Sequence, residues 1–388
     1  MKQDVVNNPD QIWIEALRVL EQGKPFALAT VINVRGSTPR EVGAKMIVRD
    51  DGQFGTIGGG CGEAEVFRKA RLLLDDRDSA RMAEVDLTGD FDQQEIGTCG
   101  GLMDVLIERW TPDVDLTLAR KLAGAASENR PAALVTVIDP GDRGTTAGSR
   151  VVVDPGERDS DALSRVGLPP YALEQISERA ADSHPGLLEV DAEGGLRHTT
   201  RLEPAGRARI FVDPITGAQH LIILGAGHIA QPLASFASML GFHVTVIDDR
   251  AQFANRERFP TANEIIVKPF VSAVDSLKLN RHCYVVSVTR GHAYDEEAVR
   301  AALKQPCGFV GMIGSRRRVR TTLERIEASG IPRERVNEVH APLGLDIGAE
   351  TPAEIAVAII AEIIRERRTG VRDQLTMGVK SGRLRPNT

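Results

Sequence analysis

The sequence predicts an α/β protein: a C-terminal doubly wound parallel sheet, preceded by an N-terminal α+β region built on an internally duplicated small sheet. Residues His220 to Arg250, HLIILGAGHIAQPLASFASMLGFHVTVIDDR, read as strand, glycine turn, helix and strand. Apolar runs at Glu264 to Val267, Cys283 to Val288 and Phe309 to Ile313 follow, separated by helix-patterned stretches, and such alternation builds a parallel sheet. Upstream, ALATVI (Ala27 to Ile32) recurs as ALVTVI (Ala133 to Ile138) and GAKMIV (Gly43 to Val48) as GSRVVV (Gly148 to Val153), at offsets of 106 and 105 residues. Asp104 to Glu108 before Pro112 likewise parallels Arg209 to Asp213 before Pro214, and a near-constant offset across three strands points to duplication. The expected domains are 1–111, a second copy of the small sheet at 112–215, a Rossmann-like domain at 216–370, and a flexible polar tail at 371–388.

The totals narrow the function classes. The chain has 388 residues, 42% hydrophobic and 26% charged, with a formal net charge of −6. That balance gives a nucleic-acid partner no general electrostatic support. No run of about 18 apolar residues and no leader-like start are present, so neither membrane insertion nor export is expected, and the location expected is the cytoplasm. Four cysteines, Cys61, Cys99, Cys283 and Cys307, are far apart and without a CxxC pair, as in a reduced protein with no disulfide framework or structural zinc.

Along the chain, Pro9 to Gln22 carries one apolar helix face, with Asp10 placed to cap it. Phe26 to Val34 and Lys45 to Val48 are strands of a hairpin-rich sheet. Gly55-Thr-Ile-Gly-Gly-Gly-Cys-Gly then places five glycines in eight positions before a helical run to about Asp75. Backbone N–H groups of Gly58, Gly59 and Gly60 are expected to form an anion-binding concavity. Cys61 stands at the helix start, where the dipole favours thiolate, and is a candidate soft metal ligand or nucleophile. Glu63 and Glu65 could serve as ligands or bases, but acidic residues in a first helical turn are more simply read as caps. A second thiol, Cys99, sits in a similar loop, Gly97-Thr-Cys-Gly-Gly101, which suggests one shared pocket.

In the C-terminal half, Gly225 permits a tight turn, Gly227 admits close approach of a pyrophosphate, and His228 and Ile229 lie where the phosphate would sit. Asp248 and Asp249 end the second strand where a ribose hydroxyl is held, and Arg250 could meet a 2′-phosphate, which leaves NAD and NADP both open. Two further loops fall at carboxyl ends of strands. TRGHAYD offers His292 and Asp295 to orient or protonate a substrate; GSRRRVR opens a helix with Ser315, Arg316 and Arg317 in a setting suited to phosphate or carboxylate. Thr351, Pro352 and Glu354 form a capping set for a last helix, and the loop before it, with Asp346 inside, is expected to close over a ligand.

Taken together, the two glycine–cysteine loops, GSTPREVGAK, VIDDR, GFVGMIGSRRR and APLGLDIGAETPAEIA resemble the xanthine dehydrogenase accessory-factor family, related to the CoxI accessory proteins of molybdenum hydroxylases. The resemblance runs from about Ala27 to Arg367. It departs at Gly62, where the family has a bulkier residue, and at Arg290 and Gly291. What it implies is binding and protection of the molybdenum cofactor (molybdopterin or its dinucleotide), support of its sulfuration by a cysteine desulfurase, and delivery to an apo molybdenum hydroxylase. On this reading the protein is an accessory chaperone and a homodimer, with Cys61 and Cys99 near the metal or its sulfur. The rival is an NAD(P)-dependent oxidoreductase with His292 or Cys61 near its substrate; a pure interaction scaffold is the third.

Overall fold

The computed structural model describes residues 10–369 apart from 77, 88–99, 129, 155–162, 183, 192, 201, 203–206, 216–218, 290 and 291. The chain divides before Gln219 into two compact units.

The first unit begins with helix α1 (Gln11–Glu21), whose apolar face of Ile12, Trp13, Ala16, Val19 and Leu20 is buried. Asp10 is itself buried and does not cap the helix with its side chain, contrary to expectation. Strands β1 (Phe26–Arg35), β2 (Lys45–Arg49) and β3 (Gly52–Gly55), helix α2 (Gly60–Asp75), and strands β4 (Ala80–Asp86) and β5 (Leu102–Trp110) follow. They form an antiparallel sheet in the order β3-β2-β1-β5-β4. After α3 (Pro112–Ser127) the plan repeats with β6 (Ala132–Asp139), β7 (Arg150–Val153), α4 (Ala172–Asp182), β8 (Gly186–Val190), β9 (Leu196–His198) and β10 (Ala208–Ile215), in the order β7-β6-β10-β8-β9.

The repetition extends to register. Thr30 faces Leu106 in the first sheet and Thr136 faces Phe211 in the second; Ala27 faces Val48 as Ala133 faces Val153. Each sheet skips one residue at the same place, between Val31 and Asn33 and between Val137 and Asp139. Side-chain alternation then sets the layers. Ala27, Ala29 and Val31 pack with Val66, Ala70 and Leu73 of α2, while Leu28 and Ile47 meet Leu134, Val152 and Ile215 of the second sheet. Ala133, Val135 and Val137 turn the other way, onto Ala172, Ile176 and Ala180 of α4. The layers are therefore helix, sheet, sheet, helix.

Charges inside this unit are exchanged between the copies. Lys45 Nζ donates to Asp213 Oδ1 at 2.9 Å, and at the equivalent position in the other copy Arg150 pairs with Glu108 at 3.4 Å and with Asp115 at 2.9 Å. Burial pushes the Glu108 carboxyl up to about 7 even though Arg150 pulls it down. Burial likewise raises Asp213, opposed by Lys45.

The second unit carries β11 (His220–Leu224), α5 (Ala230–Met239), β12 (His243–Asp248), β13 (Glu264–Val267), α6 (Phe270–Ser276), β14 (Cys283–Ser287), α7 (His292–Leu303), β15 (Phe309–Met312), α8 (Arg316–Ala328), α9 (Arg333–Asn337), β16 (Val339–His340) and α10 (Pro352–Thr369). Every neighbouring pair in the sheet β13-β12-β11-β14-β15-β16 is parallel. One face packs on Leu233, Ala237, Ile359 and Ile363 and the other on Phe270, Val274, Ala298 and Ile326, so helices cover both sides. The strand order reverses between β11 and β14, which opens the ligand crevice of such sheets beyond their carboxyl ends. The capping set at Thr351 is realised: Glu354 Oε2 accepts from Glu350 N and Thr351 N, and Glu354 N donates to Thr351 Oγ1. Among the described residues no helix is long and apolar enough to cross a membrane.

Candidate functional site

In the first unit three separated motifs meet at one end of the sheet. Gly58, Gly59 and Gly60 all have positive φ (139°, 77° and 68°), a path that L side chains resist, and they deliver Cys61 to the start of α2 with its side chain exposed. A Cβ on Gly58 would stand 2.5 Å from Pro39 Cγ, so the GSTPRE segment lies directly against the glycine turn. The same segment touches the other glycine loop, since a Cβ on Gly101 would stand 2.4 Å from Ser37 O. Leu87 closes the ring: its N–H donates to Gly101 O at 2.9 Å, its carbonyl accepts from Gly100 N at 3.1 Å, and its side chain packs over Gly62. Gly62 has no room for a side chain, because a Cβ there would approach Val85 Cγ1 to 2.6 Å. Cys99 itself lies outside the described residues.

The turn differs from an open anion nest in one respect. Glu63 is 6% exposed, and its Oε2 accepts from Thr56 Oγ1 at 2.5 Å, Ile57 N at 3.0 Å and Gly59 N at 3.0 Å, while Oε1 accepts from Gln53 Nε2 at 2.9 Å. Burial would raise this carboxyl, but the four hydrogen bonds outweigh it and hold it below the usual carboxylate range. The protein thus fills its own concavity. The role of Glu63 exceeds that of a first-turn cap, and the signal in the sequence was only its spacing of four from Gly59. Glu65, by contrast, is a surface partner of Lys69. Among the described residues, a Cβ on Gly59 or Gly60 would meet nothing within 4 Å.

In the second unit Gly225 (φ 102°) ends β11 with no space for a Cβ, which would lie 2.9 Å from Val288 O. Among the described residues, nothing would lie within 4 Å of a Cβ on Gly227. His228 beside it is exposed, and Ile229 precedes the first turn of α5, partly buried against the core. Asp248 is turned inward: Oδ2 accepts from Ala226 N at 2.8 Å and both oxygens accept from the Arg250 guanidinium, at 2.8 and 3.0 Å. Burial alone would raise its pKa, but these donors lower it. Asp248 therefore clasps the glycine turn, and Asp249 is the more exposed carboxylate at that strand end. Arg250 also stacks over Phe253 at 3.8 Å. Arg258, for which no sequence motif gives a signal, donates to Ala226 O and Gln231 Oε1, both at 3.1 Å.

Asp295 is fully buried and accepts from Ser287 Oγ at 2.8 Å, Thr289 Oγ1 at 2.6 Å and Arg318. It ties together the ends of β14, α7 and α8 rather than facing a substrate. His292 begins α7, and its side chain lies outside the described residues. Ser315 caps α8 by accepting from Arg318 N, with Arg316 and Arg317 exposed on the first turn. Asp346 is exposed in the loop before α10, a loop pinned by Gly344 N donating to buried Glu362 at 2.6 Å and by Leu343 N donating to Met312 O at 3.0 Å. Glu362 also holds His340, at 2.9 Å. Among the described residues no group of three or more His, Cys, Asp or Glu side chains could hold a metal ion.

Two family models match: one described as the XdhC and CoxI family over residues 19–86, the other as the XdhC Rossmann domain over residues 221–363, together more than half of the chain. The chain belongs to the XdhC and CoxI family. Within and around it, the chain is 26% identical over 90% of its length to a probable xanthine dehydrogenase subunit of Bacillus subtilis, of which it covers 96%. It is 38% identical over 60 residues, 15% of the chain and 19% of the relative, to the Escherichia coli molybdenum cofactor insertion chaperone PaoD. Escherichia coli YqeB is 26% identical over 91% of the chain, which spans about half of that relative's length, 46%. The crystal structure of a xanthine dehydrogenase from Bacillus halodurans has the same fold, with a TM-score of 0.65 at 24% identity, covering 93% of this XdhC-family chain and 97% of the other.

Proposed function

We propose that this XdhC-family chain binds and protects the molybdenum cofactor and inserts it into an apo molybdenum hydroxylase, supporting its sulfuration by a cysteine desulfurase. The observation that carries the reading is the meeting of the GSTPRE segment, the GGGC turn with exposed Cys61, and Gly100 and Gly101, with no described residue within 4 Å of a Cβ on Gly59 or Gly60. A thiol at the end of a glycine turn suits the soft metal–dithiolene end of such a cargo. Cys61 is the metal or sulfur contact, and Cys99, one residue before the Gly100 junction, is its assigned neighbour. The crevice of the second unit, with the open Gly227 turn and the Arg316 and Arg317 side chains, takes a nucleotide, either that of the cofactor's dinucleotide form or NAD(P). The chain acts as an accessory chaperone in the cytoplasm and works as a homodimer.

The test is anaerobic loading with molybdenum cofactor in slight excess, removal of the unbound part, and molybdenum analysis beside fluorescence of the released pterin. Wild type should retain about one equivalent, and Cys61→Ala should lose at least about tenfold in retention with an unchanged melting temperature. Equal retention by the two would remove Cys61 from the cargo site.

The Rossmann strand order and the open approach to Gly227 favour a second reading, an NAD(P)-dependent oxidoreductase. Hydride exchange between NADH or NADPH and a small carbonyl compound, with no cofactor retention, would establish it instead.

A further inference from the structure

The Cys61 turn is built around a carboxylate that no cargo needs to touch. Three successive positive-φ glycines have little preference for one path, so something else must fix them. Glu63 does so from inside. Its carboxylate holds Thr56, Ile57 and Gly59, and Thr56 Oγ1 in turn accepts from Gly58 N at 3.1 Å. Gln53 on β3 secures the other oxygen at 2.9 Å, so the turn is tied to the sheet as well. Thr56, Ile57 and Gly59 are thus held directly, and Gly58 through Thr56, by a side chain two positions beyond the thiol.

We infer that Glu63 is the positioning residue for Cys61, bracing the glycine turn so that the exposed thiol is held at the helix start. The inference rests on the reading of this turn as the cargo site and sharpens it. Of the three N–H groups expected to cradle a phosphate, that of Gly59 is taken by Glu63 and that of Gly58 by Thr56 Oγ1, and a negative charge lies beneath them. The turn is therefore matched to a soft metal or sulfur ligand and mismatched to a phosphate.

The test compares Glu63→Ala with Glu63→Gln, which share a charge and differ in the brace. In Glu63→Gln the new Oε1 can replace Oε2, and its amide can face a flipped Gln53. Alkylation by iodoacetamide is followed at each cysteine by peptide mapping. Cys61 should react at least about threefold more slowly in Glu63→Ala than in Glu63→Gln, because a frayed turn no longer aligns the helix-start N–H groups that favour the anionic transition state. Buried Cys283 and Cys307 should stay protected in both, which separates a local effect from unfolding. Cofactor retention should fall about tenfold in Glu63→Ala and stay near wild type in Glu63→Gln.

Equal Cys61 rates in the two variants would overturn the positioning role, whatever happens to the cargo. A persistent rate difference in a protein whose wild type retains no cofactor would uphold it and remove the cargo reading instead. If Cys283 and Cys307 open in Glu63→Ala, Thr56→Val, which deletes one brace donor, decides on the same rate criterion against wild type.

Discussion

Asp248 illustrates how a residue's neighbours decide its work. A carboxylate at the end of the second Rossmann strand is expected to hold a ribose, yet here both oxygens are spent on Ala226 N and the Arg250 guanidinium. Removing it by Asp248→Ala should cost about 1–3 kcal/mol, because the buried Ala226 N–H loses its acceptor. A chemical melt of the variant checks this. The pKa is lowered on folding, so its contribution is present above the unfolded carboxylate range and is lost as pH falls through the folded value. Glu108 has the opposite sign. Its folded pKa of about 7 lies above the unfolded value, so the native state holds the proton longer, and stability declines as pH rises from the ordinary carboxylate range to about 7. Glu108→Gln should flatten that decline in melts taken between about pH 5 and pH 8. An unchanged slope would assign the decline to other groups.

At the scale of elements, the two glycines of the nucleotide turn separate fold from ligand. Gly225→Ala forces a Cβ to 2.9 Å from Val288 O at a φ of 102°, and should lower stability by about 1–3 kcal/mol. Gly227→Ala meets no described residue within 4 Å, so the protein should melt normally while nucleotide affinity, measured by titration with NADPH and NADH, falls about tenfold or more. Unchanged affinity would mean that no phosphate lies over that turn. Elements of this kind were legible in the sequence: the strand, turn, helix and strand of His220 to Arg250, the capping set at Thr351 and the repeated strands all depend on local pattern. Asp295, Glu63 and Glu362 were not, because a buried carboxylate's partners are set by how loops, strands and helices fold back on one another and not by a residue pattern. Ser287 ends β14, Thr289 lies in the loop just after it and Arg318 is in α8, and spacing carries no trace of their meeting at Asp295. The cap assigned to Asp10 also failed: the residue is buried and its side chain makes no capping hydrogen bond.

At the scale of the whole molecule, the first unit is two copies facing each other through a shared core, and the buried ion pairs cross between them. Lys45→Met should cost about 3–5 kcal/mol by leaving Asp213 buried without its partner, and Lys45→Met with Asp213→Leu should recover most of the loss, as measured by denaturant unfolding. The sheets pack inner face to inner face, so Lys45 and Arg150 each reach an acid of the twin, Arg150 while also holding Asp115 of its own copy. Positions 45 and 213 are 168 residues apart and positions 108 and 150 are 42 apart, yet neither member of a pair is free to change alone. Relatives that keep the double sheet should therefore show correlated substitution at 45 with 213 and at 150 with 108. A lineage that has lost one cation should have lost the facing acid in the other copy as well.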